Sequence, residues 1–350
     1  MNRGIKNSEI EIPKFEIIPV TLHKFYLLTA SAKKLLSYLL KAAILILAFV
    51  YIYHRVNNNT NLKQFEQLIA GISRTQAIIT MSVIFLLMLV NWLLESLKWK
   101  YVTRELTKIT TWQAIEAVFC GLTWAVFTPN RIGEYGGRVM FLPNRKRIHG
   151  VFAMAVGSFG QNVITNVLGL IALMWFAFTF HPINNLAAAG LSVIAIAFMG
   201  FLLVFYFNIG WLVSLLNRIS FLKKYHRFFD IMGKYKTGEL LGVMWFCLSR
   251  FFVFSFQYYL VIHLLMPDMP VFPMMMMVFI LFFIQSALPS LDLLDVGVRS
   301  MTATAFFAYI TDQNIAVMAA VSSIWFINLI IPAILGSVFV LKLRFFDRAA

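Results

Sequence analysis

Charge is scarce in this chain, and negative charge is scarcer still. Asp, Glu, Lys and Arg make up 13% of the 350 residues, and only 15 residues are acidic. Soluble domains carry about 25% charged residues, so a freely solvated surface is excluded for most of this sequence. Cysteine is nearly missing: Cys120 and Cys247 both lie in apolar runs. Two isolated thiols exclude a CxxC site and a disulfide framework, and both read as core filler. The six histidines show neither HExxH nor His/Cys ligand spacing, so no metal and no cofactor is expected. GxGxxG, a Walker loop and GxSxG are absent too, which removes the common nucleotide-binding and serine-hydrolase signatures.

What the chain has in excess is apolar sequence: 60% hydrophobic residues and a mean hydropathy of +0.79. Soluble domains sit near 45–50% apolar. The fold class expected is therefore all-α integral membrane, a polytopic helix bundle whose full spans each need roughly 20 apolar residues. Full spans are predicted at 36–53, 77–97, 151–180, 186–207, 240–265 and 315–341. Residues 1–35 form a basic segment, read either as a helix on the membrane surface or as a solvated tail, and no cleavable signal is expected there. Residues 342–350 form a short basic tail. The net charge of +15 is assigned to cytoplasmic loops and not to nucleic acid.

Two polar breaks interrupt the apolar pattern. The first is Thr128-Pro-Asn-Arg-Ile-Gly-Glu-Tyr-Gly-Gly-Arg138, and the second is Leu288-Pro-Ser-Leu-Asp-Leu-Leu-Asp-Val-Gly-Val-Arg299. In each a proline (Pro129, Pro289) halts an apolar run too short to be a full span, 112–127 and 273–288. Each then returns with an acid followed four residues later by an arginine. Both are predicted as re-entrant hairpins, which makes eight membrane segments in all. With hairpins that return to their own side, one face collects 24 Lys and Arg, and the other holds only Arg55, Lys63 and Arg74. The positive-inside rule puts the richer face and both termini in the cytoplasm. The halves 36–180 and 186–341 then share one order of elements in opposite orientation, an inverted-topology repeat with its site expected between the broken helices.

A charge at the bilayer centre costs at least about 2.5–3.5 kcal/mol, so Arg131, Glu134, Arg138, Asp292, Asp295 and Arg299 need partners. Glu134 and Arg138 are spaced i,i+4, as are Asp295 and Arg299. One reading is that these pairs only lock the hairpins. The other is that the arginines, with Asn130 and the amides near Gly133, Gly136, Gly137 and Gly297, bind an anion such as a lipid phosphate. Asp292 and Asp295 could instead carry protons. Ser158, Gln161, Asn162 and Asn166 share a helix face that should avoid lipid. Glu95, Arg250 and Gln257 are further candidates to line a cavity, against local capping or pairing.

The TPxRxGE-x2-GR pattern of Thr128–Arg138 resembles the lysylphosphatidylglycerol synthase transmembrane-region family, also called flippase-like membrane proteins. The similarity runs over roughly 36–341. Gly297-Val298-Arg299 matches part of the family's second signature. Ser300 stands where that signature has glutamate, and Leu291–Asp295 replaces its glycine-rich turn. The resemblance implies movement of a lipid between leaflets of the bacterial inner membrane; with no synthase domain, aminoacyl transfer is not expected. The function expected is translocation of an anionic or zwitterionic phospholipid or a polyprenyl-phosphate lipid. A membrane-embedded headgroup or glycosyl transferase and an envelope-assembly scaffold are the alternatives. Candidate partners are the membrane lipid, a second copy of the chain, or a separate lipid-modifying enzyme.

Overall fold

The computed structural model describes residues 70, 72–126, 128–219, 226–287 and 295–340. The segments expected at 1–35, 36–53 and 342–350, together with Pro289 and Asp292, lie outside the described residues. What is described is all-helical, and five helices are long and apolar enough to cross a bilayer. Helices suit that solvent because they satisfy every backbone polar group internally. The chain is a helical membrane protein.

The first described span is α1, Arg74–Thr103. It extends past the predicted 77–97 because its last turns are packed, not interfacial: Lys98, Trp99 and Val102 are all buried. Next come α2, Thr111–Ala125, and the short α3, Ile132–Val139. At roughly 1.5 Å per residue, the 15 residues of α2 fall short of a bilayer. A capping box starts α2: the Gln113 amide donates to Thr110 Oγ1 at 3.1 Å, and the Thr110 amide donates to Gln113 Oε1 at 2.9 Å. Then follow α4, Arg147–Phe180, and α5, Asn185–Phe207, whose N-cap Asn184 accepts from the Ala187 amide at 2.7 Å.

The stretch 210–239, expected as a basic loop, is partly helical. It contains α6, Gly210–Arg218, the single turn His226–Phe229 and the 3-10 turn Asp230–Lys234. Apolar residues hidden among its charges explain the difference, since Phe229, Ile231 and Met232 are buried with Tyr206 and Leu240. After it come α7, Thr237–Leu265; α8, Val271–Ala287; α9, Asp295–Phe307; and α10, Asn314–Trp325. A π-helical turn, Phe326–Ile330, joins α10 to α11, Ile331–Val340, so the last span is continuous but bulged.

Apolar side chains gain little by leaving lipid for protein, so helices in a membrane associate through close packing and interhelical hydrogen bonds. Both devices are visible. Helix α2 is buried on most sides and rich in small residues, among them Ala114, Ala117, Gly121 and Ala125. It packs between α3 and α11, where Thr123 Oγ1 donates to the Ala333 carbonyl at 2.8 Å. Helix α8 packs between α9 and α4. The long helices α1 and α7 lie against each other, and Gln257 Nε2 donates to the Ile84 carbonyl at 2.9 Å. Helix α5 is outermost, with only Ala195 and Tyr206 buried.

Candidate functional site

The first polar break begins with a threonine. Thr128 Oγ1 donates toward the Trp124 and Ala125 carbonyls at the end of α2, and accepts from the Gly133 amide at 2.7 Å. One hydroxyl thus closes the gap between two helices. Asn130 and Arg131 follow with φ of 50° and 57°, two consecutive non-glycine residues in the left-handed region. Each such residue costs roughly 1–2 kcal/mol, and the strain persists because the surrounding packing over-determines it. The turn reverses the chain and starts α3 directly beneath α2.

Two glycines permit the approach. A Cβ on Gly137 would stand 2.6 Å from the Gly121 Cα, and one on Gly121 would stand 2.9 Å from the Glu134 carbonyl oxygen. Gly133 faces the Trp124 carbonyl, and Gly136 lies under the Trp124 ring. These glycines, expected to offer amides to a headgroup, serve to close the hairpin instead.

Closure brings the charges together. Glu95 of α1 accepts from Lys98 Nζ at 2.8 Å and from Arg138 Nη1 at 2.6 Å, and also pairs with Arg250 Nη1 of α7. Glu134 pairs with Arg138 Nη2 and with Arg131 Nε, the latter at 2.9 Å. Arg138 is only 2% exposed and bridges the two carboxylates. One carboxylate, Glu95, thereby serves three cations. Lys98 was expected as an interfacial anchor; the structure buries it in this network. Lys98 and Arg138 therefore do not count as loop charges in the positive-inside balance.

In front of the network lies a cavity of about 260 Å³. Three arginines from three elements line it: Arg131 of the break, Arg250 of α7 and Arg299 of α9. Arg250 is near the midpoint of the 29-residue α7, roughly 20 Å from either end at 1.5 Å per residue. Its Nε donates to Asn91 Oδ1 at 3.0 Å, its Nη1 reaches Gln161 Oε1 at 3.4 Å, and its guanidinium lies 5.4 Å from the Trp92 ring centroid. Arg299 donates to Gln285 Oε1 at 2.6 Å. Trp92, Phe251, Phe254, Tyr258, Phe282 and Trp325 supply the apolar walls.

No family model, no curated protein and no solved structure matches the chain.

The other candidate residues are distributed unevenly. Gln161 lines the cavity, as does Thr165 one turn on, but Asn162 is exposed and receives a bond from Asn166 only at its backbone carbonyl, 2.7 Å. The expected polar face of α4 is therefore split. Ser158 accepts from the Tyr135 hydroxyl at 3.2 Å, a tie between α3 and α4. Gln257 is buried against α1 away from the cavity lining, and Glu95 and Glu134 stand behind it. Asn130 is exposed. Gly297 has open space where a Cβ would be. Asp295 opens α9, its side chain lying outside the described residues. Among the described residues no group of His, Cys, Asp and Glu could hold a metal.

Sequence reasoning missed Asn91, Trp92, Lys98, Gln285 and Asn328. Asn91, Glu95 and Lys98 are spaced i, i+4, i+7, a polar stripe on one helix face that was readable. Asn328 sits in the π-helical turn and lines the cavity; such turns recur at functional sites.

Proposed function

We propose that the chain is a lipid translocase that receives an anionic headgroup in the arginine-lined cavity and passes it between leaflets. One observation carries the proposal. Three guanidiniums from separate elements line a single cavity, one of them at the centre of a spanning helix. Guanidiniums match phosphate oxygens through paired donors. In lipid they are costly, and an arriving phosphate offsets that cost. A cavity of about 260 Å³ lies just below the roughly 300–1,000 Å³ typical of small-molecule pockets. It suits a headgroup whose tails stay in the bilayer.

The packing also supports an inverted repeat, with α1, α2–α3 and α4 corresponding to α7, α8–α9 and α10–α11. Exchanging the halves leaves α1 against α7, and turns the α2–α11 pair into the α8–α4 pair. Under this reading the two broken hairpins face the cavity from opposite membrane surfaces, and alternating access is a rocking of one half against the other. The transferase alternative needs an acid at the cavity; among the described residues the two nearby carboxylates stand behind arginines.

The test is a leaflet-resolved assay in proteoliposomes, in which a membrane-impermeant quencher reports the fluorescent anionic phospholipid in the outer leaflet. Wild type should accelerate exchange. Arg299→Ala should slow it about tenfold or more, the effect of losing one charge-assisted hydrogen bond, while the protein stays folded in detergent. Equal rates in wild type and variant overturn the proposal.

A further inference from the structure

The same cavity carries information on which anion it takes, and the inference rests on the translocase reading above. Trp92 and Asn328 line it at 5% and 7% exposure, and Trp92 Nε1 and Asn328 Oδ1 have no hydrogen-bond partner. Gln285 adds a third such atom. Its Oε1 accepts from Arg299, which fixes the amide orientation and leaves Nε2 without a partner. Buried polar groups are nearly always bonded, so three such atoms around one cavity point to a ligand that satisfies them. Two of the three, Trp92 Nε1 and Gln285 Nε2, are donors.

The donor count is therefore high: three guanidiniums, an indole N–H and an amide N–H. No carboxylate lines the cavity among the described residues. Arg250 shares its one carboxylate, Glu95, with Lys98 and Arg138, so a second anion on its open side is favourable. A phosphate diester offers two non-bridging oxygens and one negative charge. A phosphate monoester offers three acceptor oxygens and a charge of about −1.5 to −2 at pH 7. A headgroup ending in an ammonium would bring its cation against three arginines.

We infer that the cavity selects lipids ending in a phosphate monoester over phosphodiester, zwitterionic and cationic lipids. The monoester oxygens meet Arg131, Arg250 and Arg299, the donors Trp92 Nε1 and Gln285 Nε2 complete the shell, and Asn328 Oδ1 accepts from a protonated oxygen or a water. The first carbons of the lipid lie against Phe254, Tyr258 and Phe282.

Native mass spectrometry of the purified full chain tests this with phosphatidic acid, phosphatidylglycerol and phosphatidylcholine of identical acyl chains, a prenyl monophosphate, and inorganic phosphate. Expected is binding of the two lipid monoesters about tenfold or more tighter than either diester. Arg131→Gln and Arg299→Gln should narrow that gap, and Arg104→Gln, remote from the cavity, should leave it intact. Equal or tighter binding of diesters that still depends on the arginines overturns the monoester selection and leaves the translocase reading standing. Binding of every lipid that ignores both arginine variants overturns both. Inorganic phosphate binding as tightly as the lipid monoesters overturns the lipid assignment. Comparing the phosphatidic acid and prenyl arms identifies which tail the walls prefer.

Discussion

The two polar breaks share a sequence pattern and differ in construction. In the first, Arg138 lies between Glu95 and Glu134, and Gly121 and Gly137 bring α2 and α3 into backbone contact. In the second, Arg299 lines the cavity beside Gln285, and Gly297 has open space around it. The arginine that answers Arg299 in position is thus Arg131, not the motif-matched Arg138. Matching an i,i+4 acid–arginine pair along the chain does not match the roles. The pair in the first break makes a rigid wall, and the residue that faces the cavity is the one that the turn throws outward.

The largest expected effect lies in that wall. Glu95→Gln keeps shape but leaves Lys98, Arg138 and Arg250 without their shared carboxylate. Removing one partner from a buried ion pair costs about 3–5 kcal/mol, so the variant should lose a large part of its thermal stability in detergent. Arg299→Ala should change stability far less. Equal losses would erase the distinction between a locked and an open break.

A smaller effect, of opposite sign in the two breaks, is expected from alanine at glycine. Gly137→Ala drives a methyl into Gly121 backbone, and overpacking of this kind costs typically 1–3 kcal/mol. Gly297→Ala meets nothing within 4 Å and sits in α9, where alanine is better than glycine by roughly 0.5–1 kcal/mol. Thermal unfolding of the two variants side by side should show one falling and one rising. Two falling curves would mean that the second hairpin is packed as tightly as the first.

The spans were legible because runs of about 20 apolar residues have few other uses, and the breaks because Pro129 and the glycines of 133–137 cannot continue a span. The limits of α1 were not, since Lys98 beside Trp99 has the composition of a membrane interface; only the position of Glu95 one turn earlier hints that the lysine turns inward. Arg131, Arg250 and Arg299 stood out as charges in apolar surroundings. Which arginine meets the cavity was hidden, because it depends on a left-handed turn at Asn130 and Arg131 that no glycine announces. Asn328 was hidden for a similar reason: a π turn, not a residue type, sets its direction.

That turn supplies the finest test of the comparison. Asn130 is exposed with φ of 50°, and Asn tolerates this region better than most residues. Asn130→Gly removes the remaining Cβ penalty but widens the unfolded ensemble, so the two effects oppose each other and the net change should stay within about 1 kcal/mol. Asn130→Val has no such relief, because a β-branched residue at positive φ is a true outlier; it should lose about 1–2 kcal/mol. If the turn exists to aim Arg131, the valine variant should also lose translocation beyond its loss of stability, while glycine keeps both. A valine variant as active and stable as wild type would mean that the left-handed turn does not hold Arg131 at the cavity.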